Sequence, residues 1–251
     1  MNSSLVSIIT PSYNSANFIK ECVDSVLNQS YSHWEMIIVD DCSEDDSKKI
    51  ISLFANNDSR IRAIFLDQNI GPAKARNIAL TKAKGSYIAF LDSDDLWHPE
   101  KLEKQVSFML NNNIAFSFTT YQLISEDGST SMNIIKAPKA VNYQAYLKNT
   151  IIGCLTVMLD REKIGYFDMP ELRSSHDMAL WLLIMKRGFL AYGLNENLAK
   201  YRCVGNSNTS SKTKAILDVW KVYRETEKLT FMYSVWCFSN YIFNPIKKRV
   251  I

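Results

Sequence analysis

Apolar positions in the first hundred residues follow two alternating periods. Leu5 to Thr10 is a short, mostly apolar run that stops at Pro11, the pattern of a strand buried on both faces. Phe18, Cys22, Val23, Val26 and Leu27 then recur at helical spacing. Met36 to Val39 is a second apolar run, and it ends abruptly at Asp40-Asp41. Ile50, Ile51 and Phe54 suit a second helix, and Ile61 to Leu66 reads as a third strand. Gly71-Pro72 opens a third helix through Ala73, Ala75, Ile78, Ala79 and Leu80, with Gly85 as its closing residue. Tyr87 to Leu91 is a fourth strand that stops at Asp92, and Pro99 suits the first turn of a helix over Leu102 to Leu110. Strand and helix alternating through short connections predict an α/β fold, a mostly parallel sheet covered on both faces.

The second half is less regular. Ile114 to Leu123 reads as a strand followed by a hairpin turn at Glu126-Asp127-Gly128, and Leu155 to Leu159 as another strand. Met178 to Lys186 is a helix preceded by His176-Asp177 and ended by Gly188. Ala199 to Val204 reads as a strand, followed by a polar loop to Ser211 and an amphipathic helix from Lys212 to Leu229. No internal repeat or low-complexity tract interrupts this order.

Composition narrows the class. With 251 residues, 47% hydrophobic and 22% charged, the chain is globular rather than disordered. A net charge of +3 lacks the basic excess of a dedicated nucleic-acid binder. The five cysteines, Cys22, Cys42, Cys154, Cys203 and Cys237, are odd in number and widely spaced, which predicts a reducing compartment rather than a disulfide framework or zinc site. No basic segment followed by a long apolar run opens the chain, so no signal peptide is expected. The longest apolar stretch, Leu229 to Phe243, is interrupted by Thr230, Ser234, Ser239 and Asn240 and falls short of the ~20 residues of a membrane span.

In a parallel sheet, ligands bind outside the carboxyl ends of the strands. The segments after the first, second and fourth strands are Thr10-Pro11-Ser12-Tyr13-Asn14, Asp40-Asp41-Cys42-Ser43 and Asp92-Ser93-Asp94-Asp95, so all three fall on one edge. Asp92, Asp94 and Asp95 crowd three carboxylates, which raises their pKa values, and magnesium or manganese would relieve the repulsion. The same loop also reads as a solvated acidic cap. Neither G-x-G-x-x-G nor G-x-x-x-x-G-K-[ST] occurs, so phosphate at this edge would be reached through a cation. Tyr13 reads either as a ring stacked on a base or as a half-buried loop aromatic. Asp41 reads as an acceptor for a pyrimidine N–H or as turn chemistry. Lys74 and Arg76 face either phosphate or solvent. Asp177 sits at a helix N-terminus, where an acid commonly serves the helix dipole. His33, His98 and His176 form neither a triad nor a zinc spacing.

Four segments carry a resemblance. Val6 to Asn14, Trp34 to Ser43, Asn69 to Asn77, and Gly85 to Asp95 with its D-x-D motif resemble, in order, the signatures of glycosyltransferase family 2, the inverting nucleotide-sugar enzymes of the GT-A fold. The match extends more loosely through His176-Asp177 and Tyr201-Arg202. The resemblance implies a nucleotide-sugar half over 1–112, a smaller, mixed half over 113–211 for the acceptor and catalytic base, and a helical segment over 212–251. It implies that Tyr13 and Asp41 hold uracil, with Pro11 shaping their loop. Asp94 and Asp95 would approach the ribose and a manganese or magnesium ion on the diphosphate, supported by Asp92. Arg76 would contact the diphosphate or order its loop, and Asp177 would be the catalytic base. Val204 stands where a His is expected after Tyr201-Arg202, and the Q-x-x-R-W segment of processive synthases is absent, so transfer of a single sugar is implied.

The implied activity is inverting transfer of one hexose (glucose, galactose or an N-acetylhexosamine) from a UDP-sugar in O-antigen, capsule or teichuronic-type polysaccharide synthesis. The implied acceptor is a polyprenyl-diphosphate-linked sugar at the cytoplasmic membrane face. Phe231, Tyr233, Trp236, Phe238, Tyr241 and Phe243, followed by Lys247-Lys248-Arg249, suit either peripheral contact with anionic lipid or a terminal helix packed on the core. A sugar nucleotidyltransferase would carry a Gly-rich loop after the first strand, and a D-x-D phosphatase would carry that motif there. A non-catalytic nucleotide-sugar-binding protein is the reading from outside enzymology, and Asp94, Asp95 and Asp177 count against it.

Overall fold

The structure is a computed structural model that describes residues 4–172, 174–205 and 212–243. Its first half repeats strand and helix: β1 (Val6–Ser12), α1 (Ile19–Leu27), β2 (Trp34–Asp40), α2 (Ser47–Asn57), β3 (Ile61–Phe65), α3 (Pro72–Lys82), β4 (Tyr87–Phe90), β5 (Leu96–Trp97) and α4 (Lys101–Asn111). The second half runs β6 (Phe116–Ile124), β7 (Ser131–Ile135), β8 (Ala140–Val141), α5 (Tyr143–Lys148), β9 (Met158–Asp160), α6 (Arg161–Ile164), α7 (His176–Lys186), β10 (Ala191–Arg202), α8 (Lys212–Lys221) and α9 (Phe231–Phe243).

One sheet joins all ten strands in the order β3-β2-β1-β4-β9-β6-β10-β5, with β7 on β6 and β8 on β10. The first four strands are parallel, and β1 sits between β2 and β4 with Val6 level with Trp34 and Tyr87. The chain steps outward from β1 to β3, then returns to lay β4 on the other flank of β1. That reversal makes the crevice above β1 and β4 a topological switch point, where such sheets bind ligands. Beyond β4 the sheet is mixed: β9 is antiparallel to both β4 and β6, while β10 is parallel to β6. The sheet therefore runs across the expected boundary at residue 112.

Side-chain alternation covers both faces. Ile9, Ile37, Val39, Ile88 and Phe90 point to a core shared with α3, α7 and the C-terminal helices. Ile8, Met36, Ile38, Ala89 and Leu91 point to the opposite core with α1, α2 and α4. This double burial explains why β2 and β4 are apolar at nearly every position.

Several boundaries differ from the sequence reading. β1 does not stop at Pro11 but continues to Ser12, with Pro11 level with Val39. Pro11 is in phase with Ile9, whose carbonyl faces β4, and pairing with β4 is over by Leu91. The missing proline N–H thus costs no ladder bond. Gly85 is not a left-handed helix cap, since α3 ends at Lys82 and Ala83 after it is extended. It is small because β1 passes close by: a Cβ there would lie 2.6 Å from the Leu5 carbonyl oxygen and 2.7 Å from the Ser7 nitrogen. Pro99 precedes α4 rather than opening it. The hairpin at 126–128 forms between β6 and β7. The strand expected over Leu155–Leu159 is a 3-10 turn at Cys154–Thr156 followed by β9. The expected strand at 199–204 is the end of the longer β10. The expected helix at 212–229 is α8 followed by a π-turn at Val222–Thr226. Among the described residues no helix is long and apolar enough to cross a membrane. The polar loop at 206–211 and Lys247-Lys248-Arg249 lie outside the described residues.

Candidate active site

Three strand ends build the edge. At the end of β2, buried Asp40 accepts hydrogen bonds from the Ser43 amide at 3.0 Å and the Ser43 hydroxyl at 2.5 Å. This folds the chain back and leaves Cys42 in the left-handed region at φ 64°. The Asp41 carboxylate, also buried, accepts from two backbone amides, Ile70 and Gly71, each at 2.8 Å. Asp41 therefore braces the loop that enters α3, where Gly71 takes φ 88°. Its turn chemistry extends to a segment 30 residues away. At the end of β1, the Asn14 and Ser15 amides donate to the Ser43 and Ser47 hydroxyls, which stitches the first two loops together. Tyr13 is left 49% exposed above them, free of the core.

The end of β4 carries the acidic loop. Arg76 of α3 is buried and does not face solvent. One arm of its guanidinium is ion-paired with Asp92, and the other lies 2.6 Å from His176 Nε2. Arginine only donates, so Nε2 must accept and His176 is neutral with its proton on Nδ1. Burial first, then the Arg76 charge, pushes the His176 pKa down to about 4. Asp177 follows His176 in the first turn of α7, half-buried, after Ser175 takes the left-handed region at φ 55°. Its charge is felt by Arg76, His176, Cys154 and buried Tyr146. Arg76 thus joins the D-x-D loop to the helix that carries Asp177, across 100 residues of sequence.

Asp94 and Asp95 are held from the other side. The Arg202 amide donates to Asp95 Oδ1 at 2.9 Å, and Arg202 Nε donates to the Asp94 carbonyl at 2.8 Å. The same buried guanidinium reaches the Glu126 carbonyl at 2.8 Å and Glu21 Oε2 at 2.6 Å. Burial, then the neighbouring Asp92, raises the Asp94 pKa to about 6. Burial, then Asp94 and Asp92, raises Asp95 well above the carboxylate range. These shifts mark an edge short of positive charge, and a divalent cation fits it. Asp92, Asp94 and Asp95 do not close a ligand shell by themselves, because Asp92 is tied to Arg76 and Asp95 to Arg202. Among the described residues no three His, Cys, Asp or Glu side chains stand as a ready metal cluster. A cation here would complete its shell from phosphate oxygens and water.

The edge therefore gathers Pro11, Tyr13, Asp41, Asp92, Asp94 and Asp95 at the strand ends, with Arg76 of α3 and Asp177 of α7 beside them. Lys74 lies apart, 3.3 Å from Glu171 on an exposed face. Two hollows, of about 360 Å3 beside Tyr143 and about 450 Å3 beside Lys104, hold none of these residues. The residues under-read from sequence are His176 and Arg202. Each is a polar side chain buried beside the acidic loop; both fall in segments that carry the resemblance, but no role was assigned to either.

Residues 7–163 match the family model described as Glycosyl transferase family 2. The chain is 53% identical over 246 residues to TuaG of Bacillus subtilis (strain 168), a glycosyltransferase named for teichuronic acid biosynthesis, covering 98% of each chain. It is 39% identical over 250 residues to WfgD of Escherichia coli, covering 99% of this chain and 96% of that one. WfgD is named UDP-Glc:alpha-D-GlcNAc-diphosphoundecaprenol beta-1,3-glucosyltransferase. Among solved structures, S. aureus TarS 1-349 in complex with UDP-GlcNAc superposes with a TM-score of 0.71 at 21% identity, covering 96% of this chain and 72% of that one, and so shares the fold.

Proposed function

The chain belongs to glycosyl transferase family 2, and on that premise we propose that it moves one hexose from a UDP-sugar to a polyprenyl-diphosphate-linked sugar in surface polysaccharide synthesis. UDP-glucose is the donor favoured here, from the name of WfgD, and the polyprenyl-linked acceptor rests on the same relative. The observation that carries the reading is Asp177 standing beside the Arg76–Asp92 pair, where a nucleophile and a departing diphosphate would meet.

Tyr13, exposed above the β1 end, stacks on uracil, and the loop braced by Asp41 borders the base. Asp177 takes the proton of the acceptor hydroxyl. That oxygen attacks the anomeric carbon opposite the UDP, forming the new glycosidic bond as the carbon–diphosphate bond breaks. UDP leaves with the electron pair, and the configuration inverts. Arg76 holds Asp92 in place during this step. A manganese or magnesium ion, when bound through Asp94 with Asp92 or Asp95, would offset charge on the leaving diphosphate. The reading places the enzyme in the cytoplasm, at the inner membrane face where its acceptor is presented.

The test is UDP release across a panel of UDP-sugars, with and without manganese, using a short-chain lipid-diphosphate sugar acceptor. Release that requires the cation and is fastest with UDP-glucose is expected. Asp177→Asn should keep UDP binding and lose transfer by at least about a hundredfold. Unchanged turnover in that variant would remove Asp177 from the base role. UDP-sugar binding with no release from any donor would leave a binding protein rather than an enzyme.

A further inference from the structure

Helix α9 has no charged residue among its 13 positions. At 100° per residue it divides into two apolar faces. Ser234 and Cys237 are buried, and Tyr233, Phe238 and Tyr241 pack with them against the core. Trp220 of α8 closes this side, with its ring 5.2 Å from Phe238. Phe231, Met232, Val235, Trp236, Ile242 and Phe243 fall on the other face. Met232 is 77% exposed, Phe243 76%, Phe231 60% and Trp236 56%. The outward faces of α2 and α4 differ: a single exposed leucine, Leu53 or Leu110, sits among Lys49, Asn56 and Asn57 or beside Glu103 and Asn111.

We propose that the outward face of α9 lies in the headgroup region of an anionic lipid membrane. At 13 residues the helix is about 20 Å long, too short for a hydrocarbon core of about 30 Å, so it would lie flat. Large aromatic rings on one face of a short helix suit that depth. Charge supplies the choice of lipid. From residue 212 onward the sequence holds eight Lys and Arg against three Asp and Glu, whereas the whole chain holds 29 against 26. The basic surplus thus sits in the segment that contains α9, with Lys228 before the helix and Lys247-Lys248-Arg249 after it. A second copy of the chain is the weaker occupant. Pairing this face with itself would bring two basic segments together, whereas an anionic lipid surface neutralises them. The contact deepens the proposed reaction by naming the surface that would hold the site near a lipid-linked acceptor, but its chemistry does not depend on that reaction.

The experiment is flotation of the full chain with vesicles of phosphatidylcholine mixed with phosphatidylglycerol, and with phosphatidylcholine alone. A Met232→Gln, Trp236→Gln, Phe243→Gln variant and a Lys247→Gln, Lys248→Gln, Arg249→Gln variant run beside it. The expected result is flotation with anionic vesicles only, weakened by salt, and reduced at least about tenfold in both variants. In the parent, Trp236 emission shifts to the blue and is quenched by brominated lipid; the Trp236→Gln variant loses that change. Thermal unfolding at the parent temperature shows that the variants fold. The proposal fails if the parent stays unbound at low salt, or if the triple Gln variant on α9 floats as well as the parent. It also fails if sedimentation shows a dimer that this variant abolishes without any vesicle binding. Transfer to a short-chain acceptor in free solution is scored separately, so loss of flotation and loss of the proposed reaction are distinct outcomes.

Discussion

Arg76 shows how much one buried side chain can organise. Its two arms serve two different acceptors, and lysine, a single point charge, cannot reproduce that fork. Arg76→Lys is expected to lower kcat/KM by about ten- to a hundredfold and stability by about 1–3 kcal/mol, because one buried acceptor is left unpaired. Steady-state kinetics with a UDP-sugar and thermal unfolding would check both. The pKa values of His176 and Asp94 are shifted in opposite directions. The His176 pKa is about 4 in the fold and about 6.5 when unfolded, so the folded chain holds fewer protons between those values and acidification through them destabilises it. His176→Gln, which keeps an acceptor for Arg76, should lose less stability than the parent between about pH 6.5 and 4. Asp94 has a raised pKa of about 6, so its protonated form accumulates below that value and cation-dependent UDP binding should weaken as pH falls through it. Calorimetry should show that slope in the parent and a weaker affinity with a shallower slope in Asp94→Asn.

At the scale of elements, the regular half was legible, and the irregular half only in part: β6, its hairpin turn and α7 were read, while β9 and most of β10 were not. Strands β1 to β4 and the three helices between them repeat one unit, buried on both faces, so their apolar runs stand out. The acidic strand end at Asp92 was legible for the same reason: a charged triplet directly after a buried strand is conspicuous. β10 was caught only at its end, because shifts of register between Leu194 and Ala199 break the alternation that marks a strand. β9 has three residues, too few for any periodicity. The role of Arg202 was hidden because its partners, Asp94, Asp95, Glu126 and Glu21, come from three distant segments. Gly85 is where a correct residue carried a wrong reason. A methyl group there would meet backbone of β1, which cannot rotate away, so Gly85→Ala should cost about 1–3 kcal/mol. A fall in melting temperature of several degrees would check it, and an unchanged midpoint would show that β1 and the loop can part without cost.

At the scale of the whole molecule, the two halves share one sheet rather than meeting at an interface. β5, from the first half, pairs with β10 of the second half, and β9 seals the free edge of β4. A fragment ending at residue 112 would leave both unpaired, so it is expected to stay unfolded, with no cooperative transition by circular dichroism. The same interlock places a demand on synthesis. β4 is complete at Phe90, but its partner β9 begins only at Met158. With the ribosome adding about 5–20 residues per second, the apolar edge of β4 waits roughly 4–14 s for its cover. During that interval the nascent chain offers an open strand to any neighbour, so cellular yield of this enzyme depends on what shields the growing polypeptide as well as on the strength of its finished core.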